Sequence, residues 1–464
     1  MAKYFGTNGI RGLFGELTPQ LALKAAQAFG MWTTERYRHS VQGSETRNAE
    51  RGTRNGPVVL VGRDARITGE CISHAVKSGL ASVGCEVVDL GLCSAPCAEF
   101  MVEKENADGL IIVTASHNPP EWNALKFVDG NGITVSKERG GEVEKLMEKI
   151  GLSKWDAVRP MQSIGNAAAL HISAIEKSVD LKRIKAAKLR IAADFGNGTG
   201  ALYKDMLGRV CEVVSLNEKI DGTFPGRLSE PTEANISGLI SLVKGGGFDA
   251  GFAWDGDADR FVMVDGNGNF IVGDRVFALS VLLKAKKGRI KRIITTVATS
   301  RAAQDIAEKY GAKTTLTKVG APYLSEAMAA EGADIAGEEV GGVVWKEISL
   351  AKDGPATAMK MLEAIAERPL SDWIAELPEY YNAKAKITVS REKKAAIIEK
   401  FARMQEGKDV VAVDGVRINF PDSWVIVRAS GTEDYVRVFA EAKTGEKAGK
   451  LVKEYEEKVK ALLR

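Results

Sequence analysis

Cysteine is scarce and odd in number in this 464-residue chain: Cys71, Cys85, Cys93, Cys97 and Cys211 are the whole set. Such a set excludes a disulfide framework and reads as reduced, mostly buried thiols. Histidine is scarcer still, at four. Cys93 and Cys97 have no second cysteine pair to complete them, so a zinc site is disfavoured. Charge of one sign is missing too. Lys and Arg number 64 against 61 Asp and Glu, a balance that argues against a general nucleic-acid binder. The local run Lys182-Arg183-Ile184-Lys185 reads as a solvated helix face. No apolar run is long enough to span a bilayer, and Met1-Ala2-Lys3-Tyr4-Phe5-Gly6 has no signal-peptide h-region. What remains is a globular chain expected in the cytoplasm, with neither a nucleic-acid nor a membrane partner.

The chain is too long for one core, so several domains are expected. Val58-Val59-Leu60-Val61, Gly109-Leu110-Ile111-Ile112-Val113, Leu189-Arg190-Ile191-Ala192-Ala193 and Arg292-Ile293-Ile294-Thr295-Thr296 read as buried strands. Each runs into a loop of Gly, Asp, Ser or Thr. Helical periodicity lies between them: Leu21, Ala25, Ala28, Phe29 and Trp32 follow the Thr18-Pro19 start. Val143, Leu146, Met147 and Ile150 extend a second helix towards Gly151. The alternation predicts α/β domains with mixed sheets, and a strand-then-loop unit recurs at 58–69, 189–200 and 292–300. The last ninety or so residues differ: strands Trp424–Arg428 and Tyr435–Phe439 flank a short loop, and a helix with Leu451, Val452, Tyr455, Val459 and Leu462 closes the chain. They predict a smaller α+β domain. The polar stretch 40–57 has no periodicity, reads as a mobile surface loop and is assigned no role.

Five loops carry candidate chemistry. Thr114-Ala115-Ser116-His117-Asn118-Pro119-Pro120 follows a buried strand, where ligand crevices of α/β domains form. Ser116 could be a nucleophile beside His117, although a Ser–His hydrolase is disfavoured because no Gly-x-Ser-x-Gly elbow is present. Read alone, the loop is as well explained by an Asn-Pro turn. Asp255-Gly256-Asp257-Ala258-Asp259-Arg260 sets three carboxylates at alternate positions between two strands. A hard divalent cation with oxygen ligands neutralises such a set. An EF-hand fails, because Arg260 stands where its invariant Gly is needed. Arg428-Ala429-Ser430-Gly431-Thr432-Glu433-Asp434, with Arg437 beyond, offers guanidinium, hydroxyl and backbone donors to a phosphate, or is an ordinary hairpin loop. Gly337-Glu338-Glu339-Val340-Gly341-Gly342 could accept from sugar hydroxyls or be a solvated turn. Gly62–Gly69, with Arg63, Asp64 and Arg66, is equally a structural Arg–Asp network or an anion site. Together these loops make a toolkit for phosphoryl transfer: charge from a cation and guanidinium groups, and separate contacts for positioning.

In this combination and order, from Phe5-Gly6-Thr7-Asn8-Gly9-Ile10-Arg11-Gly12 to the 428–433 loop, the chain resembles the α-D-phosphohexomutases over nearly its whole length. The resemblance implies four domains around a central cleft, three α/β domains of shared topology with mixed sheets and a smaller C-terminal α+β domain. The expected limits are 1–152, 153–270, 271–370 and 371–464. It implies that Ser116 carries a phosphoryl group, donates it to a sugar monophosphate, and takes the other phosphate back from a bound hexose 1,6-bisphosphate. Mg²⁺ is then held by Asp255, Asp257, Asp259 and a phosphate oxygen on Ser116. Arg11, Lys126, His117 and Arg260 are the implied catalytic set, with Lys126 able to shuttle a proton if its neighbours lower its pKa. Lys318, Gly320, Glu338, Arg428, Ser430, Gly431, Thr432 and Arg437 are the implied substrate contacts.

Val340 and Gly342 stand where many members have Ser and His, which removes a sugar contact and a candidate acid or base. The 338–342 loop is similar to that of archaeal members. Mannose, glucose and glucosamine phosphates stay open as substrates, and the assembly stays open between monomer and homo-oligomer. Two other readings compete: a non-catalytic sugar-phosphate binding protein, and a Mg²⁺-dependent sugar phosphatase.

Overall fold

The computed structural model describes residues 4–42, 56–288, 290–430 and 434–463. Most of the 40–57 stretch, and Gly431 and Thr432, lie outside them. Four sheets follow one another along the chain. In the first, strand Val58–Arg63 pairs in parallel with Glu86–Leu92 on one side and Gly109–Val113 on the other. Gly109–Val113 then pairs antiparallel with Trp122–Asp129, and that strand with Gly9–Leu13.

The second and third sheets repeat this plan. Arg190–Asp194 lies parallel to Glu212–Leu216 and Ala250–Trp254, and Ala250–Trp254 turns back into antiparallel Phe261–Asp265. Arg292–Thr296 lies parallel to Lys313–Thr317 and Ile335–Gly337, and Ile335–Gly337 turns back into Val343–Trp345. The strand-then-loop recurrence in the sequence is therefore a threefold topological repeat. The parallel strands are rich in Val, Ile and Ala because helices cover both sheet faces; Gly109–Val113 and Ala250–Trp254 are buried at every position. The fourth sheet is wholly antiparallel, with Tyr381–Thr388, Tyr435–Ala442, Ser423–Ala429, Val416–Phe420 and Val410–Val411 in that order. Helices Arg391–Arg403 and Gly445–Ala461 pack Phe401 and Tyr455 against it.

One expectation needs correcting. The helix carrying Val143 ends at Leu146, and Met147 is its C-cap rather than part of a run to Gly151. A short strand, Gln162–Ser163, joins the edge of the first sheet through Glu86–Leu92. Among the described residues no helix is long and apolar enough to cross a membrane.

Candidate active site

The topological repeat decides where the chemistry falls. In each of the first three sheets the outer parallel strand reverses into an antiparallel partner. The three reversals are the Ser116 loop, the Asp255–Arg260 loop and the Glu338–Gly342 loop. The site is thus built from equivalent hairpin turns of three domains. In the fourth, Ser423–Ala429 and Tyr435–Ala442 are antiparallel neighbours.

Ser116 has φ 51°, left-handed backbone that a non-glycine residue adopts at a cost of about 1–2 kcal/mol. Surrounding contacts hold it there. The Thr114 hydroxyl receives the Ser116 N–H at 3.0 Å and lies 2.7 Å from Asp64 Oδ2 and 2.9 Å from Asp257 Oδ2, its single proton serving either carboxylate. The carbonyl of Ser116 accepts from Arg66 Nη2 and from Ser229 Oγ, both at 2.8 Å. Ser229 Oγ also accepts from Gly256 N, so one hydroxyl clips the serine loop to the aspartate loop. The outcome is that Ser116 Oγ donates to Asp255 Oδ2 at 2.6 Å, while His117 Nδ1 is 3.4 Å away.

Asp255, Asp257 and Asp259 are buried and can bring one oxygen each within 4.8 Å of one another, the one such cluster among the described residues. Asp257 Oδ1 and Asp259 Oδ1 are buried with no hydrogen-bond partner. Burial and mutual repulsion push the Asp255 carboxyl well up and the Asp257 carboxyl up. Three crowded hard oxygen donors, two of them orphaned, fit a divalent cation such as Mg²⁺. Ala258 in the same loop is also left-handed, at φ 61°.

Positive groups ring this cluster. Burial lowers the pKa of Arg11, as does Arg260; Arg11 donates to Asn118 Oδ1 at 2.6 Å. Arg260 donates to Glu230 Oε1 at 3.1 Å and sits 4.0 Å from Asp259. Lys126 is buried and paired with Glu99. Burial would lower its pKa, but Glu99, Asp259 and Asp257 raise it on balance, which holds it as a fixed ammonium. These neighbours raise the pKa, the opposite of the lowering on which a proton shuttle depends. His117 is driven down to about 2 by burial and by Arg260 and Arg11, so its imidazole is neutral.

The third loop closes over the second. Gly341, at φ +87°, donates to Glu338 O, and its carbonyl accepts from Phe261 N; a Cβ there would meet the Phe261 carbonyl at 2.2 Å. Glu338 is 5% exposed, which removes the solvated-turn alternative. Its partner is Lys352, whose Nζ lies 2.7 Å from Glu338 Oε1 and 3.1 Å from Asp259 Oδ2. Lys318 and Gly320 lie farther out. Lys318 Nζ donates to Glu138 Oε1 at 2.8 Å, and a Cβ on Gly320 would lie 2.7 Å from Thr7, so this loop abuts domain I. Val319 N and Arg428 Nε both donate to Asp414, joining the loop to domain IV.

On domain IV, Lys386, Arg437 and Arg428 are cross-strand neighbours in one row. Like charges set directly opposite repel, and an anion relieves the row. A cavity of about 260 Å³ is lined by these three, Lys384, Phe439 and Glu339 of the third loop. Ser430 is held from below, its carbonyl accepting from Lys394 Nζ. The sequence reading missed Glu99, Ser229, Lys352 and Lys386, and it placed Arg66 and Thr114 in candidate loops without showing that they brace the serine loop. Lys386 alone carried a local signal, its alternation with Lys384 on a strand.

The fold and this site together define an α-D-phosphohexomutase, and the chain belongs to that family. Its four domains match the phosphoglucomutase/phosphomannomutase models in order: α/β/α domain I over residues 2–154, domain II over 169–268, domain III over 272–381 and the C-terminal domain over 384–458. The chain is similar to a Thermococcus kodakarensis phosphoglucomutase/phosphomannomutase, 41% identical over 459 residues that cover 97% of this chain and 96% of that one. It is similar to a phosphoglucosamine/phosphogalactosamine mutase of Sulfurisphaera tokodaii, 32% identical with 98% of each chain covered. A crystal structure of a Burkholderia thailandensis phosphoglucomutase/phosphomannomutase family protein superposes with a TM-score of 0.84 at 26% identity, covering 99% of this chain and 97% of that one.

Proposed function

We propose that this chain moves a phosphoryl group between the 1- and 6-positions of a hexose phosphate, with Ser116 as the relay. The observation that carries the reading is the 2.6 Å contact of Ser116 Oγ with Asp255, in a loop held left-handed beside three buried carboxylates. Phosphoryl transfer asks a protein for positioning and charge more than for covalent chemistry. Asp255, Asp257 and Asp259, with a phosphate oxygen on Ser116, would hold Mg²⁺, which when bound offsets the charge of the transferring group.

Lys126, Arg11 and Arg260 add fixed positive charge around the same oxygens. His117, neutral, serves as a contact to the phosphoryl group rather than as a base. Phosphoserine 116 donates to a sugar monophosphate: its Oγ–P bond breaks, the free sugar hydroxyl oxygen bonds to phosphorus, and the hydroxyl proton passes to the departing Ser116 Oγ. The bound hexose 1,6-bisphosphate turns over, and the other phosphate returns to Ser116. Glu338 accepts from sugar hydroxyls, and Lys318 and Gly320 border the cleft. Arg428, Ser430, Gly431, Thr432 and Arg437 hold the phosphate that is not in transit, with the cationic row on domain IV in support.

Our domain limits are 1–152, 153–270, 271–370 and 371–464, with the connector lending Gln162–Ser163 to the first sheet. The five cysteines are free thiols, which supports a reducing compartment, the cytoplasm. The test is a mutase assay with Mg²⁺ and a trace of hexose 1,6-bisphosphate on glucose, mannose and glucosamine phosphates, with Ser116→Ala as control. Isomerisation of at least one sugar, absent in the control, is expected, and the rates rank the sugars. Hexose phosphate binding with no isomerisation would overturn the reading in favour of a binding protein; release of inorganic phosphate would favour a phosphatase.

A further inference from the structure

Lys352 belongs to no motif visible in the sequence, yet its ammonium lies where two of the converging loops meet. It is 6% exposed at the side chain and bonds Glu338 Oε1 at 2.7 Å and Asp259 Oδ2 at 3.1 Å. A buried ammonium is costly unless it is paired, so this position is maintained by its two carboxylates.

The space it occupies comes from another residue. A Cβ on Gly342 would stand 2.3 Å from Lys352 Cδ, 3.1 Å from its Cγ and 3.2 Å from Glu338 Oε1. Gly342 therefore leaves open the channel through which the lysine stem reaches the site. The backbone at 352 is fixed on both sides. Lys352 pairs with Val344 in an isolated antiparallel bridge, and Asp353 N donates to Val343 O at 2.8 Å. Asp353 caps helix Gly354–Ile365 through Ala356 N and binds His171 Nε2 at 2.8 Å. Gly354 N reaches the Ala258 carbonyl in the aspartate loop.

We propose that Lys352 is a substrate-positioning residue: its ammonium fixes the carboxylate of Glu338 for the sugar and ties it to Asp259 of the acidic loop. The proposal rests on the reading of Glu338 as the sugar-carrying carboxylate. Lys352 occupies one Glu338 oxygen and leaves the other to accept from a hexose hydroxyl. The same link sets the sugar at a constant distance from the acidic loop, so the hydroxyl that receives the phosphoryl group is presented in register with Ser116. The residue acts through Glu338, and Gly342 is the permissive partner of the pair.

Full-length Lys352→Met, Lys352→Arg and Gly342→Ala test this by two readouts. The first is the Kd of glucose 1-phosphate by calorimetry. The second is KM and kcat in the mutase assay. Lys352→Met, folded by circular dichroism, is expected to raise Kd and KM at least tenfold. Lys352→Arg is expected to recover most of that loss, and Gly342→Ala, which keeps the charge but pushes the stem aside, to raise Kd several-fold. A folded Lys352→Met with Kd and KM within twofold of wild type overturns the proposal. So does a Lys352→Arg variant as impaired as Lys352→Met, because a positioning cation tolerates a cation. Where Lys352→Met does not fold, Gly342→Ala decides, and a wild-type Kd there overturns it. If wild type binds hexose phosphate without isomerising it, the mutase reading falls while the Kd comparison still judges Lys352.

Discussion

The guanidinium of Arg66 donates to the carbonyl oxygen of Ser116 at 2.8 Å. The same group reaches the carbonyls of Asn118, Pro119 and Trp122, while Nε pairs with Asp64 in a wholly buried ion pair. One planar fork of five donors thus shapes the loop that carries the serine. Lysine keeps the charge but cannot span four carbonyls. Arg66→Lys is expected to lower kcat about 100-fold through displacement of the serine. Arg66→Ala strands the buried Asp64 carboxylate and is expected to cost about 3–5 kcal/mol in urea unfolding.

The crowded aspartates predict a response to metal. Adding Mg²⁺ at 100 times its Kd is expected to stabilise the wild-type fold by about 2.7 kcal/mol, read as a thermal shift that EDTA reverses. Asp257→Ala is expected to abolish that shift and to lower transfer by about 10²–10³. Near-normal turnover in this variant would sink the assignment of the cluster.

Thiol chemistry separates the cysteines. Burial pushes Cys85 and Cys93 up to about 12, and Cys211 to about 12 with Asp249 adding to it. Cys97 is raised as well, chiefly by burial. Cys71 is exposed on helix Ile67–Ser82. An aromatic disulfide reagent at pH 8 is expected to titrate one thiol in the native protein and all five of the chain in denaturant. Cys71→Ser is expected to remove the native reaction.

Asp274 carries a pH dependence. Its carboxyl accepts from Ser300 N at 2.7 Å, and burial holds its pKa well above the carboxylate range, with Glu441 and Glu339 adding to the shift. Folding therefore favours the protonated form. Its contribution to stability is complete below the unfolded pKa and is lost as pH rises through the raised folded value. Asp274→Asn keeps the oxygen that accepts and removes the titration. Its unfolding free energy in urea is expected to gain on wild type from pH 4 to pH 8, by at most about 1.4 kcal/mol per pH unit. A constant difference across that range would contradict the burial argument.

Legibility in the sequence followed distance along the chain. Strands 58–61 and 109–113 were readable because burial on both sheet faces imposes unbroken apolar runs, and 292–296 because Ile293, Ile294, Thr295 and Thr296 are all β-branched. The three Asp were readable because their crowding lies within five residues. Contacts between distant segments left no trace. Ser229 clips Ser116 across 113 positions, and Thr114 reaches Asp257 across 143. The 62–69 loop read equally as network or anion site, and the 3.1 Å Arg66–Asp64 pair decides for the network. Gly342 read only as a missing side chain, because nothing local says that a lysine ten residues later fills its place. The periodicity carrying the 143–150 helix past Leu146 was overridden where Met147 caps the helix.

The serine loop, the aspartate loop and the glutamate loop occupy the same turn of three copies of one unit. On the proposed reading, nucleophile, charge and sugar recognition fall on three topologically equivalent turns, each on its own sheet. A graft of the third turn from a relative could therefore retune which sugar is accepted and leave the transfer machinery on the other two scaffolds untouched. Its joins would be the donor's counterparts of Lys352 and of the Gly341 contact with Phe261.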